Sequence, residues 1–431
     1  MRAMAGTFSV VAALVTCPAA FASATGTLDP SFGGDGMVTT AVGVKSWAND
    51  VVLQPNGRIV VAGSSGNKRF DNPTHYALVR YRKSGSRDRS FSRDGRVKTL
   101  AGYDPHSYVG IYSLALLPNG KMVAGGRSGG EVGKVVRYRK HGKLDHQFGQ
   151  PDDWLRGPVS DLAIQSDGRI VAAGTLSFGK DCPCHFTVGR LLSGGEVDSS
   201  FGGDGDGDVS TSFAPPGTQP DSGGYWSGAS SVLVQPDGKI VAAGEAGAGS
   251  AGYGWGLARY LPDGSLDSSF SGDGLQTTFF DGEGGRISEA VLQPDGKIVA
   301  AGTVSTHYFG VARYNPDGSL DLTFSGDGRV VTEMGDYAAA SDVVLQPDGK
   351  IVVVGSVGNA NFSRSSFALA RYNADGSPDS SFDGDGTLVA SGFGDGGYFA
   401  EAAVLQPDGR IVVAGRAFTV DGERIVVVRF R

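Results

Sequence analysis

The sequence predicts an all-β chain folded as a seven-bladed β-propeller of four-stranded antiparallel blades, on three observations. A turn of the form Gln-Pro-Asp-Gly-Lys recurs seven times, ending in Gly57, Gly120, Gly168, Gly238, Gly296, Gly349 and Gly409, and each copy leads into a short Ile-Val-Ala-Gly-type run. Its period of about 59 residues belongs to propellers and solenoids. Composition is the second observation: 69 of 431 residues are Gly while 40% are hydrophobic, so the chain is turn-rich and still able to build a core. Phase is the third. The repeat region opens on the tail of a unit and closes on a unit lacking that tail, so the N-terminal strand is expected to complete the C-terminal blade. That arrangement closes a ring, whereas a linear solenoid would need a cap at each end.

From the N-terminus, residues 1–24 read as a secretory signal: a basic start at Arg2, an apolar stretch from Phe8 to Val15, and the small-x-small site Ala22-Ser23-Ala24. The stretch is shorter than the roughly 18–20 apolar residues that spanning requires, and no later segment reaches that length. Residues 25–431 are expected to form one propeller domain, secreted or periplasmic, monomeric and without a transmembrane segment. Leu14-Val15-Thr16-Cys17 departs from a lipoprotein box at Thr16, so Cys17 is expected to leave with the leader instead of carrying a lipid. Cys182 and Cys184 then remain, and a chain with so large a core needs no disulfide to fold.

Each unit carries four apolar runs of four to six residues bounded by Gly, Asp, Asn and Pro, the mark of strands and turns. In blade six these run from Asp342 to Gln346, Ile351 to Gly355, Phe367 to Tyr372 and Thr387 to Ala390. Pro347-Asp348-Gly349 joins the first two, with Pro setting the turn entry and Gly taking the positive φ of a tight hairpin. The turn Gly precedes the Gly ending strand two by six residues in all seven units, and the strand-three Arg precedes the next Phe by eleven in all six complete units. The other two connections vary, from 11 to 17 and from 20 to 37 residues. Alternate connections of a meander lie at opposite ends of the sheet, so one face of the propeller is constant and the other variable. Variable loops on a rigid scaffold are where binding usually resides.

Leu345 to Gly355 (Leu-Gln-Pro-Asp-Gly-Lys-Ile-Val-Val-Val-Gly) and Asp379 to Gly386 (Asp-Ser-Ser-Phe-Asp-Gly-Asp-Gly) show the pattern most clearly. In these motifs, across essentially the whole chain after the leader, the sequence resembles the delta-60 repeat family of bacterial exported proteins. The resemblance implies a β-propeller-like fold on an exported protein and carries no activity with it. The second unit departs most, with Leu117 in place of the Gln and Gly149-Gln150-Pro151-Asp152 where Gly-Asp-Gly is expected, so its outer strand has the poorest pattern.

An Arg on strand three and an Asp eight residues later recur in every unit, from Arg80 and Asp88 to Arg371 and Asp379, with Arg429 meeting Asp29 across the closure. Seven copies cannot be one active site, so these are expected to be structural pairs. Function is sought where the symmetry breaks. Four positions before the strand-one Gln, four units carry Asp50, Asp161, Glu289 and Asp342, and the others Ser113, Ser231 and Ala402. This partial carboxylate ring, expected near the channel mouth, would suit a cationic ligand or Ca²⁺, the one ion the sequence suggests; against that stands capping of backbone N–H groups. Asp204, Asp206 and Asp208 form a weaker calcium candidate, because Val209 stands where a calcium loop needs Gly. His75, His185 and His307 fall before strand three in alternate blades, too far apart to share one ligand, and Cys182-Pro183-Cys184-His185 lacks a fourth metal ligand.

Between Ser64 and Lys143 there are 17 Lys or Arg against 5 acids, within a chain of net charge −7. Such a patch could hold an anionic envelope polymer or nucleic acid, but no aromatic stacking platform accompanies it, and a solvated face is the favoured reading. No serine-triad order, metalloprotease helix or nucleotide loop is present. The reading is an exported binding module for a protein or glycan on the variable face, using exposed aromatics such as Trp226, Tyr253 and Trp255. A propeller lyase or hydrolase with its site at the channel mouth, and a purely structural envelope protein, are the alternatives.

Overall fold

A computed structural model describes residues 27–66, 73–101, 108–129, 132–149, 154–155, 157–176, 185–215, 225–247, 249, 252–280, 284–305, 307–359, 365–390 and 397–431. The expected leader and both cysteines of the Cys-Pro-Cys run lie outside these residues. Seven antiparallel sheets make up the fold, with no α-helix among the described residues and none long and apolar enough to cross a membrane. Six sheets have four strands in simple up-and-down order. Blade two, the most divergent unit, shows three among the described residues: Gly110–Leu116, Met122–Arg127 and Gly133–Tyr138. Blade seven contains Tyr398–Leu405, Ile411–Thr419 and Gly422–Phe430, and its outermost strand is Met37–Thr40 from the other end of the chain, registered Met37 to Val428 and Thr40 to Ile425.

The inner strands are longer than the hydrophobic pattern suggests. In blade six the strand is Tyr337–Leu345, beginning five residues before the expected Asp342. A β-bulge explains the difference: register shifts between Ala340 and Asp342, and an equivalent shift interrupts the inner strand of every blade. The extra residue reverses which positions face each side, so no single alternation runs through the strand.

The core is divided among seven interfaces. Each apolar cluster joins two neighbouring blades, as Phe309 and Val311 of blade five do with Ala338, Val343 and Ile351 of blade six. One such cluster joins blade seven to blade one, with Val412, Val427, Ala402 and the N-terminal Phe32 against Val51, Ile59 and Val79. Radial sheets bury both faces, which is why second strands such as Ile351–Gly358 are nearly continuous runs of buried residues.

The recurring Arg and Asp form an ion pair in every blade, at 2.6 Å for Arg371–Asp379, 2.9 Å for Arg80–Asp88 and 2.8 Å for Arg429–Asp29. The turn Lys or Arg reaches the same carboxylate, as Lys297 does to Asp321 at 2.9 Å and Arg410 to Asp29 at 3.0 Å. Each guanidinium also lies over the Phe of its own hairpin, 4.5–4.8 Å from the ring centroid, and those of Arg80, Arg137, Arg190, Arg259, Arg313 and Arg429 donate to a backbone carbonyl of the next blade. Arg80 donates to Lys140 O at 2.8 Å, and Arg429 to Lys83 O at 2.6 Å. The Phe ring meets a glycine of that neighbouring hairpin. At Gly376 a Cβ would stand 2.9 Å from the Phe324 ring, and φ is +89°, so only glycine fits.

Removing one partner of a buried, hydrogen-bonded ion pair leaves the other charge unpaired and typically costs about 3–5 kcal/mol. Asp321→Ala is therefore expected to lower stability by that order. Asp29→Ala should do the same, because Asp29 is equally buried and holds Arg429 at a sequence separation of 400 residues. Denaturant unfolding of both variants checks this; an Asp29→Ala protein with the parent's midpoint would show that the N-terminal segment does not hold blade seven.

Candidate functional site

The bulges decide what faces the central channel. At the bulged position the seven inner strands carry Asn49, Tyr112, Ser160, Ser230, Ser288, Ser341 and Glu401. Small hydroxyl residues serve the scaffold here: Ser288 Oγ donates to Ala340 O at 2.7 Å, and Ser341 Oγ to Ala400 O at 2.8 Å, each in the next blade. Tyr112 and Glu401 break the pattern. Two further positions open on the same mouth. On strand two, after its closing Gly, stand Ser64, Arg127, Thr175, Glu245, Thr303, Ser356 and Arg416; opposite them on strand one stand Trp47, Gly110, Pro158, Gly228, Arg286, Ala339 and Phe399.

The asymmetric members gather around a central cavity of about 800 Å³, lined by Tyr112, Arg286, Phe399, Glu401 and Arg416 together with Ser160, Ser230, Ser288 and Ser341. A groove of about 400 Å³ runs outward from it between blades seven, one and two, past Trp47, Tyr108, Phe418, Lys45 and Glu423, and it shares Tyr112, Glu401 and Arg416 with the cavity. The Arg416 guanidinium lies 4.6 Å from the Phe399 ring centroid and 5.7 Å from that of Phe418. Its Nε stands 3.6 Å from Glu401 Oε1 and makes no hydrogen bond. Burial raises the pKa of Glu401, and the charges of Arg416 and Arg286 offset only part of the rise. Glu245 is raised for the same reason, against the pull of Arg286. The cavity and its groove thus hold Arg286, Arg416, an acid of raised pKa in Glu401, and the exposed rings of Tyr108 and Phe418.

The expected carboxylate ring lies on strand one immediately after the bulge and is bonded to the scaffold. Asp50 accepts from the amides of Val51 and, in the next blade, Leu114, both at 2.5 Å. Asp161 accepts from the Ser113 hydroxyl at 2.8 Å and from Val232 N at 2.7 Å. Glu289 accepts from the Ser231 hydroxyl at 2.6 Å, and Asp342 from Ala403 N at 2.6 Å. Each inner strand is a sheet edge with free N–H groups, and in five blades the carboxylate or Ser of the neighbouring blade satisfies one of them, at Leu114, Leu162, Val232, Ala290 and Ala403. None of the four acids is among the residues that line the mouth cavity or its groove.

Among the described residues, no group of three or more His, Cys, Asp or Glu side chains is placed to hold a metal ion. Asp204 Oδ1 accepts from Asp206 N at 3.1 Å in an exposed turn, and Asp208 opens the outer strand Asp208–Thr211. The three histidines stay apart in their own blades: His75 pairs with Thr74 at 2.8 Å, His185 with Ser210 at 3.2 Å, and His307 lies beside Tyr337. Trp226 and Tyr253 are exposed and line a smaller cleft with Glu245. Trp255, expected on the surface, is fully buried: its ring packs 4.7 Å from that of Phe280 in a space kept open by Gly310, where a Cβ would stand 2.8 Å from the indole.

Sequence reading missed Glu401, Arg416 and Arg286. The signal was available one residue before the carboxylate position, where Tyr112 and Glu401 interrupt four serines, and one residue after the invariant strand-two Gly, where Arg416 follows Gly415.

The family model described as "Domain of unknown function (DUF5122) beta-propeller" matches six segments, residues 54–91, 165–201, 235–270, 293–324, 346–382 and 406–431; the divergent second unit is the one it passes over. No curated protein matches the chain. Among solved structures, Trypanosoma rangeli sialidase in complex with sialic acid is 11% identical with a TM-score of 0.42, covering 94% of this chain and 59% of that one. The same sialidase with the inhibitor DANA is 10% identical at TM-score 0.42, over 89% of this chain and 55% of that one. The chain therefore spans a little over half the sialidase's length. A subtype N10 neuraminidase-like protein from influenza A of the little yellow-shouldered bat is 11% identical at TM-score 0.41, over 74% of this chain and 93% of that one.

The ring and the ion pairs have opposite pH signatures. Burial raises the pKa of Asp342 to about 7; the amides of Ala403 and Val343 pull it down, and the Asp161 charge adds to the rise. Burial likewise raises Asp50 and Glu289, with like charges across the channel adding to it. The folded ring thus holds protons that the unfolded chain releases above the ordinary 3.8, so its contribution is complete below that pH and is lost as pH rises towards about 7. Burial also works to raise Asp29, but the Ser31 bonds and the Arg429 and Arg410 charges outweigh it and bring the pKa to about 2. That contribution is present above 3.8 and is lost as pH falls towards about 2. Thermal stability is accordingly expected to peak at about pH 4–5. Asp342→Ser, which copies the hydroxyl cap of Ser113 and Ser231, should shrink the fall in melting temperature between pH 5 and 8; an identical fall in parent and variant would overturn the assignment.

Proposed function

We propose that this chain is an exported propeller of the delta-60 kind that binds a saccharide across the channel mouth of its variable face. Export rests on the composition of residues 1–24. The observation that carries the binding site is the clustering of large side chains at positions where most blades present Ser, Thr, Gly or Ala: Phe399, Glu401, Arg416, Trp47, Tyr112 and Arg286, from blades seven, one, two and five, line one cavity and its adjoining groove, whereas the other exceptions, Arg127, Pro158 and Glu245, are not among the residues lining either. The scaffold's needs at these positions are met by a small residue or a single hydroxyl, so these side chains serve something else.

Their chemistry suits sugar rings. Trp47, Tyr108 and Phe418 offer flat apolar faces, and Lys45, Asn49, Glu401, Arg416 and Glu423 surround them with donors and acceptors of both charges. A ligand with apolar C–H faces edged by hydroxyls satisfies both. A helical peptide would need a continuous apolar trough, and a nucleic acid a uniformly positive one. Glycoside cleavage is a second reading, favoured by Glu401: a carboxyl in a cavity whose pKa burial has raised is what a general acid requires.

Calorimetric titration of the protein against an array of envelope oligosaccharides tests the site. A saccharide that binds the parent is expected to lose about tenfold or more in affinity, at least about 1.4 kcal/mol, on Arg416→Ala and on Trp47→Ala, with melting temperatures close to the parent's. Release of reducing ends, abolished by Glu401→Gln, would establish the second reading. Failure of every saccharide to bind, or unchanged affinity in both variants, would overturn the first.

A further inference from the structure

The constant face carries a charge asymmetry that the propeller does not require. The turns that follow the third strands of blades one and two lie side by side, tied by Arg80 donating to Lys140 O at 2.8 Å and Ser92 N to His141 O at 3.1 Å. A cleft of about 500 Å³ lies at this junction, lined among others by Arg58, Arg80, Ser90, Lys140 and His141. Around it Lys83, Arg89, Arg93, Lys140 and Lys143 are exposed and have no ion-pair partner among the described residues. The local acids are already committed. Asp88 is shared by Arg80, Arg58 and Arg82, Asp145 by Arg137, Lys121 and Arg139, and Asp94 is held by Arg96.

The same backbone frame in the other blades shows that these cations are additions. Lys83 and Lys140 stand where blades three to six have Ser193, Pro262, Pro316 and Ala374, and the next residue in blades four to six is an acid: Asp263, Asp317 or Asp375. Lys143 replaces Glu196 or Ser265, and Arg89 replaces Ser199 or Ser268. Arg93 is the most telling. It adopts φ +75°, where the equivalent Gly203, Gly272, Gly326 and Gly384 have φ between +85° and +96°. A side chain in this left-handed region is strained, so a cation is retained at a position the fold would fill better with glycine.

We propose that the constant face of blades one and two is a second binding surface, which takes an acidic polysaccharide laid across the cleft between the two hairpins. The surface reads charge alone. Tyr81, Phe91, Tyr138 and Phe148 of these hairpins are all buried, which leaves the His141 imidazole as the one exposed aromatic ring described in the cleft lining and no Phe, Tyr or Trp platform for successive nucleic-acid bases, so a polysaccharide is favoured over DNA or RNA.

The test titrates the full chain with polygalacturonate, with heparin as a sulfated counterpart, and with oligothymidylate of matched charge. A variant carrying Lys83→Ala, Arg89→Ser, Arg93→Gly, Lys140→Ala and Lys143→Ser uses residues that the scaffold tolerates at these positions, so its melting temperature should equal or exceed the parent's. Binding of either polysaccharide is expected to weaken as salt rises and to fall by about tenfold or more in the variant. Unchanged affinity in the folded variant, absence of binding to both polysaccharides at low salt, or tighter binding of oligothymidylate than of either polysaccharide would each overturn the proposal.

Discussion

The whole assembly depends on one buried guanidinium used seven times. In each blade the strand-three Arg pairs with the hairpin Asp and lies over the hairpin Phe, and in six blades it is also seen to reach across to a carbonyl of the neighbouring blade. A charge taken out of water is tolerated only when its donors are satisfied, and here ion pairing, ring contact and a carbonyl supply that satisfaction together. The arrangement makes blade identity cooperative: no blade can place its Arg without the backbone of the next. It also accounts for the most repetitive features of the sequence, since the turn Lys, the Asp, the Phe and the hairpin Gly are all parts of this one contact.

Because the constant end is consumed by that contact, the opposite end is free to differ. The inner-strand bulges turn seven equivalent positions toward the channel mouth, and a hydroxyl is enough to tie each blade to the next there. The scaffold's demand at the mouth is small, so any blade can replace its Ser or Thr at little structural cost. Glu401, Arg416 and Arg286 are such replacements, and they fall close enough to share one cavity. The carboxylates of the ring, by contrast, cap sheet-edge amides, which ties their charge state to the stability of the channel wall.

Much of the architecture was legible in the residues. The fixed six-residue and eleven-residue spacings located the hairpins, and the Arg and Asp eight residues apart form the ion pairs they suggested. What escaped was set by features without a local signature. The bulges hid the first half of every inner strand, because one extra residue breaks the alternation by which strands are recognised. The same shift concealed the site: Asp50, Asp161, Glu289 and Asp342 drew attention as charged exceptions, while the residues facing the mouth were one position away. Trp255 escaped for a different reason, since its burial depends on a glycine in the neighbouring blade at position 310.

Blade seven is assembled from the two extremes of the chain, and this has a consequence for how the molecule comes into being. Asp29 precedes its strand-three partner Arg429 by 400 residues, so the segment it anchors cannot complete blade seven until Arg429 has been made. During that interval the growing array has two open sheet edges and an unburied apolar flank at each end. Such edges invite pairing with other chains. Closing the ring therefore requires two segments to meet across a very long loop, an entropic hurdle that grows only slowly with loop length. A chain cut short just before Arg429 would keep six blades intact and yet lack this clasp.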